Sequence, residues 1–113
     1  MQYMLLIYDR DDRELSPTDL QALVAEHMRL AADMREAGVM LGGDGLQPGD
    51  TATTVRLTNG ERVLHDGPFP ETREQLGGYY LIEVADLDVA VAWARRVPVS
   101  DGGGVEVRPV MVY

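Results

Sequence analysis

His27 and Asp66 are the residues of this chain whose types and surroundings best suit proton chemistry. His27 falls three residues after Val24 and four before Ala31, inside a run whose apolar residues recur at helical spacing. Its unperturbed pKa of about 6.5 suits a general acid or base at a helix–sheet boundary. A core histidine bonded to a backbone carbonyl fits the same position equally well. Asp66 opens Asp66-Gly67-Pro68-Phe69. Its carboxylate either orients His27 or holds a substrate group, or else bonds nearby backbone N–H groups as turn residues do. Gly67 admits backbone conformations closed to other residues, Pro68 fixes φ, and Phe69 is expected to pin the loop to the core. These three join Glu71, Thr72 and Tyr79 as candidate substrate-binding residues. Glu71-Thr72-Arg73 also reads as the cap and first turn of a short helix. Strand alternation turns His65 away from Asp66 into solvent, and puts Tyr79 and Tyr80 on opposite faces of one strand. Trp93 is expected in the core.

Other chemistries lack their residues. There is no Cys, which removes disulfides, thiol catalysis and thiolate-bound metals. There is no Lys either, so no Schiff base and no P-loop lysine. No nucleophile elbow, Walker motif or HExxH is present. Gly42-Gly43-Asp44-Gly45 is not followed by a helical pattern, so it is no dinucleotide fingerprint. The two histidines lack metal-ligand spacing. No metal and no cofactor are expected.

Charge narrows the partners. Acidic residues number 19 against 10 basic ones, a formal net charge of -9. Nucleic acid needs a basic stripe, and an anionic membrane surface favours basic proteins, so neither is expected as a partner. No apolar run approaches the roughly 18 residues of a membrane span. Met1-Gln2-Tyr3 lacks the basic start of a signal peptide, and the expectation is a cytoplasmic protein. At 113 residues and 45% apolar, the chain is read as one domain, residues 1–113.

The elements that must position these residues follow from pattern. Tyr3–Tyr8 reads as a strand and Asp9–Glu14 as a solvated charged loop. Ser16 caps a helix, with Pro17 at its first position, that runs to about Ala37 and stops at Gly38. Val39–Leu41 begins a strand that dissolves at Gly42–Gly45. Thr51–Thr58 and Glu61–His65 flank Asn59-Gly60, a tight-hairpin signal. A long loop is expected from about Asp66 to Gly78, against a usual 4–6 residues. Gly78–Val84 is a strand, Leu87–Val97 a helix capped by Asp86 or Asp88, and Val105–Tyr113 a last strand. Pro109 marks that strand as an edge or a bulge. The fold class is α+β: a ferredoxin-like split βαβ sheet with an added β-hairpin and both helices on one face. Tyr3–Tyr8 and Tyr79–Val84 are apolar on both sides of the pleat and need cover on both faces. A second copy, sheet against sheet, supplies it, so a homodimer is expected.

Asp66-Gly67-Pro68-Phe69 with Glu71-Thr72-Arg73-Glu74-Gln75-Leu76-Gly77-Gly78-Tyr79-Tyr80-Leu81-Ile82 resembles the DGPF-motif branch of the YCII-related family. The resemblance continues through Tyr3–Tyr8, His27, Ala37-Gly38-Val39, Gly45-Leu46-Gln47-Pro48 and Trp93-Ala94-Arg95. It implies a dimeric α+β barrel, with His27 matching the family's helix histidine. Shorter relatives carry an Asp-Pro soon after the helix-two Trp; this chain reads Val97-Pro98. Asp66 is then the carboxylate left for His27. The resemblance also implies an association with extracytoplasmic-function sigma factors. Two functions follow as expectations. One is a cofactor-free enzyme using His27 and Asp66 on a small organic substrate. The other is a non-catalytic dimeric module that binds a ligand or a regulatory protein partner.

Overall fold

The computed structural model describes residues 1–10, 15–69 and 74–113. Its elements are β1 (Gln2–Arg10), α1 (Pro17–Glu36), β2 (Met40–Gly45), a 3-10 turn (Gly49–Thr51), β3 (Thr53–Thr58), β4 (Glu61–Asp66), β5 (Glu74–Glu83), α2 (Leu87–Ala94) and β6 (Gly104–Pro109). Local signals set most boundaries. The Ser16 side chain accepts a hydrogen bond from the Asp19 N–H at 3.1 Å, and Asp86 does the same for Val89 at 3.0 Å. Asn59 and Gly60 both take positive φ, 51° and 80°, as a tight hairpin turn requires.

Four strands form one antiparallel sheet in the order β2-β5-β1-β6. β5 lies between β1 and β2, and β1 lies between β5 and β6. The two βαβ units are therefore split and interleaved, which is the ferredoxin-like arrangement. Pro109 sits on β6, an edge strand, where its missing N–H leaves no ladder bond unmade. Tyr3, Leu5 and Ile7 of β1 point to the helix face with Tyr80 and Ile82 of β5. Leu30, Ala31 and Met34 of α1 and Ala90 of α2 close over them, so both helices cover one face. Leu5, Met34 and Ile82 are fully buried. Each such side chain contributes about 1.5–3 kcal/mol relative to exposure. The opposite face carries Met4, Leu6, Tyr8 and Leu81, all half-buried.

β3 and β4 form a separate two-stranded ribbon that packs chiefly on itself. All its residues except Thr54 are exposed, including Val55, Leu57, Val63 and Leu64. The radius of gyration is 15.7 Å, against roughly 13 Å for a compact chain of this length. The ribbon reaching beyond the body accounts for the excess.

Several sequence expectations need correction. β2 does not dissolve at the glycines but runs to Gly45, because Gly43 is demanded by a close approach. A Cβ there would lie 2.7 Å from Tyr80 Cδ1 and 2.9 Å from the Tyr79 carbonyl oxygen. β5 begins at Glu74 rather than Gly78, so the connection from Asp66 is shorter than read. A bulge between Ile7 and Tyr8 in the β1–β5 pairing absorbs Gly77. α2 stops at Ala94 instead of Val97, and β6 ends at Pro109 instead of Tyr113. Trp93 is only partly buried, packed on the core with Arg96 over its ring. The short helix read at Glu71–Arg73 lies outside the described residues.

Candidate functional site

α1 divides into two halves. Its C-terminal turns are buried by Leu30, Ala31 and Met34, while Leu20, Val24 and Met28 remain 50%, 49% and 67% exposed. The apolar stripe is continuous in sequence, but the sheet supports only part of it. His27 stands where support ends, and is half-buried. Beneath it opens a cavity of about 680 Å³ between α1 and the β2–β5 side of the sheet. That volume suits a small organic molecule. Leu20, Leu23, Val24, Leu46 and Leu76 give it apolar walls, and His27, Arg35, Asp9, Gln75 and Tyr80 give it polar points.

His27 Nδ1 lies 2.7 Å from the Tyr80 hydroxyl, with the two rings stacked at 28° and centroids 6.0 Å apart. Burial disfavours the Tyr80 phenolate and raises the phenol above its ordinary range, while the nearby Arg35 charge offsets part of this. Tyr80 is therefore a neutral phenol at physiological pH. A neutral His27 then has two proton arrangements. The phenol donates to Nδ1 and Nε2 carries the proton, or Nδ1–H donates to the phenol oxygen and Nε2 is the basic nitrogen. In the second, the phenol O–H is available to a ligand. The pair can thus accept a proton at one point and donate one at another.

Asp9 is the buried carboxylate of the cavity, 9% exposed. It accepts from the Ser100 N–H at 3.1 Å, the Ser100 hydroxyl, and the Arg10 N–H at 2.9 Å. It ties the end of β1 to the segment before β6. The reading of Asp9 as the start of a solvated loop is corrected here. The missed signal was alternation: Tyr3, Leu5, Ile7 and Asp9 share one face of β1.

The other predicted residues fall elsewhere. Tyr79 borders the cavity, but its hydroxyl donates to Asp44 Oδ2 at 3.1 Å, and that bond, followed by the Asp44 charge, raises its phenol pKa. Asp66 ends β4, exposed, and does not line the cavity, nor do Gly67, Pro68 and Phe69. They close the base of the ribbon. The Gly67 N–H donates to the Ala52 carbonyl at 2.8 Å, and the Gly67 carbonyl accepts from the Thr54 hydroxyl at 2.6 Å. Gly67 holds φ at 115°, a conformation L side chains rarely adopt. Phe69 does not anchor in the core. It is 62% exposed, with the Arg56 guanidinium 4.6 Å above its ring. His65 is exposed, as alternation required. Glu71 and Thr72 lie outside the described residues. Within this chain, then, the phenol beside His27 belongs to Tyr80, and the Asp66 loop stands apart.

Among the described residues, no group of three or more His, Cys, Asp or Glu is placed to hold a metal ion. No helix there is long and apolar enough to cross a membrane. Residues 1–113 match the YCII-related domain. The chain is also similar to an uncharacterised protein of Rhizobium meliloti (strain 1021). The two are 36% identical over 108 residues, covering 94% of this chain and 82% of that protein.

Proposed function

The chain belongs to the YCII-related domain family over its whole length, and we propose that it binds a small organic molecule in the α1 cavity and exchanges protons with it through His27. The observation that carries this reading is the 2.7 Å contact between His27 Nδ1 and the Tyr80 hydroxyl at the wall of a 680 Å³ cavity. Tyr80 acts as the orienting group, holding the imidazole by its Nδ1. Asp66-Gly67-Pro68-Phe69 supports membership of the DGPF-motif branch and serves to shape the ribbon. The protein acts as a homodimer. The half-buried Met4, Leu6, Tyr8 and Leu81 face supports this, as does a ribbon too isolated for stability by itself. Asp66 shares one ribbon face with Val55 and Leu64 by register. Any role it has at a His27 site requires the ribbon of a second copy.

The test is a ligand screen by NMR, followed by incubation of each binder with wild type and H27Q. Binders are expected to shift the His27 and Tyr80 signals. Turnover should fall about 10²–10⁴-fold in H27Q while affinity changes little, the usual loss for a missing acid–base group. Conversion at the wild-type rate by H27Q would sink the catalytic reading. A second reading, a ligand-binding module without turnover, is favoured by Val97, at the position where the resemblance to shorter YCII-related proteins implies an acid. It predicts binders in the same screen and no conversion of any of them.

A further inference from the structure

Resting on the reading of the cavity as a small-molecule site, we propose that its ligand is a small organic carboxylate, the anionic group held by Arg35 at the mouth and the apolar body lying along Leu23, Val24 and Leu46. His27, Ala31 and Arg35 recur at four-residue spacing, so they share one face of α1, and all three line the cavity. None of the ion pairs between described residues engages Arg35; Arg96 pairs with Asp33, and Arg108 with Glu106. Arg29, Arg56, Arg62 and Arg95 likewise make no ion pair among the described residues, and what sets Arg35 apart from them is that it lines the cavity. Tyr80, the partner of His27, lines the same cavity as Arg35.

The acids bordering the cavity already hold donors of their own. Asp9 accepts from Ser100 and from the Arg10 N–H, and Asp44 accepts from Tyr79. They do not compete for the Arg35 fork. A guanidinium matches a carboxylate with two parallel N–H bonds. Arg35 is itself exposed, so a carboxylate there keeps part of its hydration and avoids the cost of full burial. The formal charge of -9 repels anions at long range. A carboxylate that binds this protein must therefore do so through a local donor, which makes the experiment discriminating.

The probes are benzoate and benzamide, matched in shape and differing in charge, titrated by NMR into wild type, R35Q and R95Q. Arg95 is exposed at the end of α2 and is not a cavity residue, so R95Q carries the same charge change elsewhere. The expected result is benzoate binding about tenfold or more tightly than benzamide to wild type and to R95Q, with the preference lost in R35Q. Equal binding of the two probes, or a preference that survives R35Q, overturns the carboxylate assignment. In those outcomes the shifted His27 and Tyr80 signals leave the cavity reading standing. If neither probe moves those signals, both readings fall for ligands of this size.

Discussion

Gly43→Ala tests whether the sheet was built to seat the Tyr80 ring. An added Cβ would sit 2.7 Å from Tyr80 Cδ1 and 2.9 Å from the Tyr79 carbonyl oxygen. One neighbour is a buried ring and the other is backbone, so neither yields cheaply. Overpacking of this kind costs about 1–3 kcal/mol. Losing a glycine also stiffens the unfolded chain, which returns about 0.4–1 kcal/mol. The net expectation is a loss of about 0–2.6 kcal/mol, centred on about 1.3 kcal/mol. With a urea slope near 1.5 kcal/mol/M, a loss of about 1.5 kcal/mol lowers the midpoint by about 1 M. The same displacement should pull the phenol from His27, read as a changed imidazole titration by NMR. A double-mutant cycle locates the cause. Phe at position 80 keeps the offending ring carbon, so G43A and Y80F should add to within about 0.5 kcal/mol. Ala at 80 removes the ring but not the Tyr79 carbonyl, so Y80A should rescue G43A in part. G43A with an unchanged midpoint and an unchanged His27 titration would refute the argument that close packing at Gly43 positions the pair.

Two further outcomes are expected. Asp9→Ala removes the acceptor of the Ser100 and Arg10 N–H groups and should cost about 1–3 kcal/mol by urea unfolding, with Asp9→Asn costing less because one acceptor oxygen remains. The Tyr80 phenol, raised by burial, should titrate above the ordinary tyrosine range by ultraviolet difference absorbance. The folded state then holds this proton more tightly than the unfolded chain. Its contribution to stability is complete below the ordinary tyrosine value near 10 and is lost as pH climbs through the folded value. Y80F should flatten that alkaline decline, and an undiminished decline in Y80F would assign it to other groups.

The fold was legible where one local signal sufficed. Ser16-Pro17, Asp86 and Asn59-Gly60 each carry their own boundary chemistry, and the continuous apolar run Tyr3–Tyr8 declares a strand. Glycines misled the reading because composition does not distinguish a break from a close approach. Gly43 and Gly77 both lie within strands, one under a ring and the other in a bulge. At the site, His27 was visible from helix spacing alone. Tyr80 was visible only as one of two tyrosines on opposite faces, since choosing between them needs the sheet's sidedness. Asp66 drew attention through its neighbours Gly67 and Pro68, yet those residues describe a turn, and a turn's position is tertiary information. Arg35 carried no local signal beyond sharing the face of His27. That Arg35 makes no ion pair among the described residues is a property of everything around it.

The split character of α1 has a consequence for motion. Its first turns, from Pro17 to about Val24, are held by a Ser16 cap and little buried surface, while its last turns bury Leu30, Ala31 and Met34 in the core shared with Leu5 and Ile82. Unravelling the first turns breaks no contact of the central core, so it draws on a much smaller free energy than global unfolding. Leu20, Leu23 and Val24 are also a wall of the cavity. Amide exchange along this single helix should therefore be graded, fast at its start and near the global limit by Met34, with His27 at the crossover.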